Sequence, residues 1–131
     1  MHEYAVVDEL ITSLLPRLET IPGEVSAVFV RKGELRILSD RALENAFEIL
    51  SRGSRLESAR LVVEAVAAVV RCAACLYEGA STYYQDEGGH FAIPVLVCPR
   101  CSGDVSIVSG RELYVDRVAI KDDAPPSGDV Q

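Results

Sequence analysis

The sequence is short of histidine. It has two, His2 and His90, and neither offers a nucleophile–base pair, so no catalytic constellation is legible and the chain is not read as an enzyme. Long apolar runs are missing too. None approaches the roughly 20 residues that span a bilayer, which argues against a membrane protein. A basic leader is absent: Met1-His2-Glu3 opens the chain with an acid, which is not a signal peptide, and the expected location is the cytoplasm. Basic residues are in deficit, with 13 Lys and Arg against 20 Asp and Glu and a formal net charge of −7. A phosphate-binding surface wants the opposite sign, so nucleic acid is a poor partner. The acidic balance suits a soluble protein that meets proteins or cations.

What is present reads as globular. Of 131 residues, 49% are apolar and 25% charged, a composition that can bury an ordinary core rather than stay disordered. Tyr4, Val7, Leu10, Ile11, Leu14, Leu15 and Leu18 recur at spacings of three and four, which predicts a helix over 4–15 that ends or kinks at Pro16. Pro22-Gly23 is a turn. Residues 24–31 are rich in strand formers, and Glu34 to Leu38 reads as a short second strand. Ser39 or Asp40 can cap a helix over about 40–52, with Ala42, Leu43, Ala46, Phe47 and Leu50 on its inner face and Gly53 as the C′ residue. Residues 59–71 carry alanines that suit a helix and valines that suit a strand. Strand is preferred because the segment runs straight into a cysteine pair. Glu78 to Phe91 reads as a polar loop, 105–108 and 113–120 as strands, and 121–131 as a disordered tail. The expected fold class is α+β: a small mixed sheet with two helices, plus an inserted zinc-ribbon-like module. The expected division is a discontinuous α/β domain of 1–70 and 105–120, a metal-binding module of 71–104, and the tail.

The strongest chemical signal is two Cys-x-x-Cys pairs, Cys72/Cys75 and Cys98/Cys101, with 22 residues between them. A reducing cytosol disfavours disulfides and favours metal or redox use. Zinc wants four soft or borderline donors in a tetrahedron. Each pair presents two sulfurs to one side, and Pro99 stiffens the second turn. The spacing is slightly wide but easily closed, since loop entropy grows slowly with length. Iron in the same cage is an alternative, and so is a thiol-redox pair, although that needs one such motif on a strand-to-helix turn. Four thiolates fill the shell, so the ion is expected to be structural. His90 reads as a loop residue rather than an added ligand.

The N-terminus carries a weaker signal. A free α-amine, the first amide and the His2 imidazole can wrap one ion in fused chelate rings, an arrangement that suits square-planar Ni(II) or Cu(II). The bulk of histidine should make trimming of Met1 inefficient, which keeps His2 in second place.

Together these residues resemble a family. Met1-His2-Glu3-Tyr4 leads into Val6-Val7. Gly33-Glu34-Leu35 follows a Val/Phe strand. Asp40-Arg41-Ala42-Leu43 and Ala46-Phe47-Glu48 lie in the second helix, and Leu61-Val62-Val63-Glu64 precedes the first cysteine pair. Cys98-Pro-x-Cys101 and Ser109-Gly110-Arg111-Glu112-Leu113 close the series. The pattern is similar, in order and over about residues 1–120, to HypA, the nickel metallochaperone of NiFe-hydrogenase maturation. The resemblance implies that His2 binds nickel with the Met1 amine and neighbouring amides, that Glu3 is the acid beside it, and that Cys72, Cys75, Cys98 and Cys101 hold structural zinc. Asp40 is where an extra carboxylate can reach the nickel, and a capping role explains it equally well. The resemblance further implies Ni(II) as transient cargo, delivery to the hydrogenase large-subunit precursor, and partnership with the GTPase HypB, with service to urease in some members. The loop between the cysteine pairs, carrying Tyr77, Tyr83, Tyr84, Asp86, Glu87 and His90, is longer than in the shortest members. It reads as an insertion or as a determinant of partner choice. The rival reading is a zinc-ribbon module for protein–protein or nucleic-acid interaction, which predicts a basic surface. A second rival, a thiol oxidoreductase, predicts a reactive cysteine and no metal.

Overall fold

A computed structural model describes residues 2–85 and 92–121. In chain order the elements are α1 (His2–Arg17), β1 (Glu24–Gly33), α2 (Asp40–Leu50), β2 (Arg60–Val66), β3 (Val69–Cys72), β4 (Glu78–Ala80), β5 (Thr82–Gln85), β6 (Ala92–Val95), β7 (Val105–Ser109) and β8 (Leu113–Lys121). The class is α+β: two helices with small sheets in the orders β2-β1-β8, β4-β3-β7 and β5-β6. The chain divides into two compact units. One comprises Met1–Arg31, Leu38–Glu64 and Tyr114–Gln131, the other Lys32–Ile37 and Ala65–Leu113.

The first unit contains both helices, which pack on one another. The apolar stripe of α1 buries Val7, Ile11 and Leu14, with Leu18 just beyond its end, while α2 buries Leu43, Ala46 and Phe47. Val25, Ala27, Val28 and Val30 of β1 complete the core; each such side chain contributes roughly 1.5–3 kcal/mol on leaving water. Pro16 sits in the last turn of α1, and the chain tightens there into i→i+3 bonds, Leu18 N–H to Leu15 O and Glu19 N–H to Pro16 O. Ser39, not Asp40, is the N-cap of α2: its backbone is extended and its Oγ accepts from Ala42 N–H at 3.1 Å. Arg55 holds the α1–β1 connection together, its guanidinium donating to the carbonyls of Leu18, Ile21 and Gly23. Phe29, Arg31, Glu64, Asp116 and Arg117 form a partly exposed group, with the Arg117 guanidinium 4.0 Å from the Phe29 ring centroid and 3.2 Å from Glu64.

The second unit departs from the sequence expectations in four places. Glu34 to Leu38 is a turn, not a strand: Arg36 N–H closes onto Gly33 O, while the Glu34 and Leu35 amides are taken by the carbonyls of Val66 and Gly110. The expected strand over 59–71 is two strands, because the Glu34 carboxylate accepts the Ala68 N–H at 2.7 Å and takes it out of the ladder. That break frees β3 to pair with β4 and β7, both antiparallel. The expected polar loop contains β4 and β5. Thr82, Tyr83 and Tyr84 have the side chains of strand formers, and β5 pairs antiparallel with β6 from Thr82↔Val95 to Gln85↔Ala92. The remainder of that loop, 86–91, lies outside the described residues. Finally, β7 joins the cysteine unit, because Cys72 pairs with Val105 and Val70 with Ile107. The units part at 31/32, 37/38, 64/65 and 113/114. Lys121 closes β8; the rest of the tail lies outside the described residues.

Candidate metal centres

The two cysteine pairs are built alike. Cys72 ends β3, and Cys98 follows the isolated bridge between Val97 and Asp104. In the first turn Leu76 N–H bonds Cys72 O at 3.0 Å, and Cys72 N–H bonds Tyr77 O at 2.8 Å. In the second, Ser102 N–H bonds Cys98 O at 2.9 Å, and Cys98 N–H bonds Gly103 O at 2.8 Å. Each turn is completed by a residue in the left-handed region, Leu76 at φ 67 and Ser102 at φ 66. That conformation costs roughly 1–2 kcal/mol for a residue with a side chain, so closing these turns has a definite energetic cost that something must offset.

The turns bring all four sulfurs within 4.8 Å of one another. Cys72 and Cys101 Sγ are 3.6 Å apart, and Cys75 and Cys98 Sγ 3.5 Å. Those separations are far beyond a disulfide bond of about 2.05 Å. They are close to the ~3.8 Å edge of a tetrahedron of thiolates about 2.3 Å from a zinc ion, so the donor set fits one tetrahedral thiophilic metal. Cys72 and Cys98 are buried, whereas Cys101 is exposed. Gly103 lets the second turn lie close: a Cβ there would stand 3.2 Å from Cys101 Sγ and 3.7 Å from Cys72 Sγ.

Without a metal the four thiols divide unequally. Burial pushes the Cys98 thiol up, but the backbone N–H groups of Cys101 and Arg100 outweigh it and hold Cys98 down at about 7. Cys101 gains from the Gly103 N–H, yet its neighbours Cys72 and Cys75 push it up to about 12. Four thiols crowded together cannot all ionise, and a divalent cation at their centre removes that conflict.

The second candidate lies in the helical unit. His2 is exposed at the start of α1, and Asp40 is exposed at the start of α2. Glu3 is partly buried, and its Oε2 accepts the backbone N–H of Ser39 at 2.9 Å. That bond holds the Glu3 carboxyl below its ordinary value. The helix starts carrying His2 and Asp40 are thereby linked through Glu3 and Ser39. Met1 and His90 lie outside the described residues. The Ser39 amide is not legible in the sequence, since a backbone donor leaves no mark there. Among the described residues, no helix is long and apolar enough to cross a membrane.

A cluster of four thiols in a small α+β fold, with a histidine at a helix start in the other unit, marks a metal-handling protein. Comparison narrows the class. Residues 1–120 match the family described as "Hydrogenase/urease nickel incorporation, metallochaperone, hypA". The chain is 35% identical over 123 residues to hydrogenase maturation factor HypA of Methanothermobacter thermautotrophicus, covering 92% of this chain and 98% of the relative. It is 32% identical over 135 residues to the factor of the same name from Pyrococcus horikoshii, covering 92% and 96%. The chain belongs to the HypA family, nickel metallochaperones of hydrogenase maturation that assist an enzyme's assembly rather than catalyse a reaction. The fold agrees. The solution structure of the Ni metallochaperone HypA from Helicobacter pylori superposes with a TM-score of 0.59 at 22% identity, covering 90% of this chain and 96% of that one. A second solution structure, of HypA protein, gives 0.64 at 23%, covering 92% and 97%.

Proposed function

We propose that the helical unit carries one Ni(II) at its N-terminal end and that the cysteine unit is held by one structural Zn(II). The nickel site comprises Met1, His2, Glu3 and Asp40, with the Met1 amine, the first amides and the His2 imidazole as the chelating set and Asp40 within the reach of α2. The observation that carries this reading is the Glu3–Ser39 hydrogen bond at 2.9 Å, which links the start of α1 to the cap of α2.

Helix physics favours the position. The first four N–H groups of a helix have no intrahelical acceptor, and α1 begins at His2. An amide of residues 2 or 3 can exchange its proton for a metal without breaking a helical bond. The same helix ends carry partial positive charge, which opposes a cation, and Glu3 and Asp40 offset it. A site made from competing terms suits cargo that must be given up. Ligand protonation adds to this, since the donors must be deprotonated to hold the metal, and nickel affinity should fall with acid.

Zinc at Cys72, Cys75, Cys98 and Cys101 supplies folding free energy and no chemistry, because its four positions are filled. The cargo passes to the NiFe-hydrogenase large-subunit precursor in the cytoplasm, with the GTPase HypB as co-worker; urease maturation is a second destination. Nickel titration of the tag-free protein tests the site. Wild type should take up one Ni(II) beside one zinc, and His2→Ala should keep the zinc and lose the nickel. A His2→Ala protein that binds nickel as tightly as wild type overturns the assignment. A Gly-Ser extension ahead of Met1 should weaken binding by displacing the free amine.

A further inference from the structure

We propose that the cleft between α2 and the segment leading into β2 receives an arginine side chain from an exposed segment of a partner protein. The inference stands apart from the nickel reading, and the experiment that tests it contains no nickel.

The cleft has a volume of about 510 Å³, enough for a side chain and the backbone on either side of it. Its floor is apolar, since the buried Phe47 and Leu61 line it. Its rim is acidic: Glu44, Glu48 and Glu57 are accompanied by one cation, Arg60, so three carboxylates against one guanidinium leave a net charge of −2. Helix stability does not account for these acids. Glu44 and Glu48 stand four residues apart on α2, where like charges repel. Glu48 lies in the last turn, which contains no basic residue, although a helix C-terminus carries partial negative charge and favours a cation. Among the described residues neither glutamate is held in an ion pair. Glu57 is set in place, its Oε1 accepting the Gly53 N–H at 3.2 Å, and a carboxylate has a second oxygen to offer. A guanidinium in the cleft relieves both the repulsion and the unfavourable helix end. Its planar fork of donors matches carboxylates, and its aliphatic stem covers the apolar floor. Charge decides against the nearer occupants. Residues 122–131 contain Asp122, Asp123 and Asp129 and no Lys or Arg, and a second copy of the chain brings a net charge of −7.

The probe is a blocked peptide with one arginine flanked by alanines, titrated into the full chain and followed through the backbone amide resonances. Amides of 44–48 and 57–61 should shift saturably. The same peptide with citrulline, the neutral isostere, in place of arginine should bind about tenfold more weakly or worse, the scale of one hydrogen bond to a charged group. Affinity for the arginine peptide should fall as salt is raised. The double variant Glu44→Gln, Glu48→Gln should lose about tenfold or more in affinity yet melt no lower than wild type, because the repulsion goes with the site. The absence of a saturable shift overturns the proposal, and so does a citrulline peptide that binds as tightly as the arginine peptide. A double variant that keeps full affinity overturns it, and one that melts several degrees lower does too, because the glutamates are then structural. Shifts of the same amides that grow with protein concentration alone overturn it in favour of a second copy.

Discussion

Gly33 lies against the carbonyl of Gly110, so closely that a Cβ on Gly33 would stand 1.9 Å from that oxygen. The contact is held by Gly33 N–H to Glu112 O at 2.7 Å and Leu35 N–H to Gly110 O at 2.8 Å, while Glu112 Oε1 caps the Gly110 N–H at 2.7 Å. Gly110 adopts φ 116, a conformation open to glycine. Two backbones meet here with no side chain between them.

Gly33→Ala should therefore destabilise the protein by about 3 kcal/mol or more, because backbone rather than a flexible side chain must move. Gly53→Ala is the control. Its φ is 76 but nothing stands within 4 Å of the new Cβ, so only the left-handed penalty of about 1 kcal/mol applies. Urea denaturation of the two variants measures the difference.

Arg55→Ala should cost about 2–3 kcal/mol through the stranded carbonyls of Leu18, Ile21 and Gly23. Arg55→Lys should recover little of it, since an ammonium cannot reproduce the planar fork. Thermal melts of both variants are the check.

Cys98→Ser should abolish zinc retention and remove a contribution on the order of 10 kcal/mol to folding of Ala65–Leu113. Both helices lie outside that segment. The helical circular-dichroism band should thus persist when metal is stripped by a chelator, while amide exchange accelerates across β3, β4 and β7. Collapse of the helical band at the same chelator concentration would contradict this.

Zinc binding should release more protons as pH falls. In the metal-free protein Cys98 titrates at about 7 and Cys101 at about 12. Above pH 7 Cys98 is already a thiolate, and Cys101 still surrenders a proton to the ion. Below pH 7 Cys98 is protonated too, so binding releases about one more proton and apparent affinity falls more steeply with acid. Calorimetry in buffers of different ionisation enthalpy counts the protons at each pH.

The sequence carried the local signals well and the long-range ones poorly. The stripe Val7–Ile11–Leu14–Leu18 was visible because a helix face repeats at a fixed spacing, and the cysteine cluster because paired thiols have a narrow chemistry. The break between β2 and β3 was not. It arises where Glu34, 34 residues away, intercepts the Ala68 amide at 2.7 Å, and no local propensity encodes such an interception. The allegiance of β7 was hidden for a similar reason. Its residues favour a strand, but which strand it joins is decided by the register Cys72↔Val105. Thr82 to Gln85 reads as loop in the sequence because glycines and charges surround it, although its own side chains favour the extended backbone it adopts. At the N-terminal end, His2 is legible in the sequence and the Ser39 amide that donates to Glu3 is not.

The sheet order β2-β1-β8 has a consequence for how the protein is made. β1 is the middle strand, yet its neighbour β8 comes after all four cysteines in the chain. A growing polypeptide leaving the ribosome presents α1, β1, α2 and β2 first and must leave one side of β1 unmatched until residues 113–121 emerge. The cysteines are exposed to cellular zinc during that interval. Synthesis thus favours an order in which the four cysteines can close on a metal first, and the unit that carries His2 closes last.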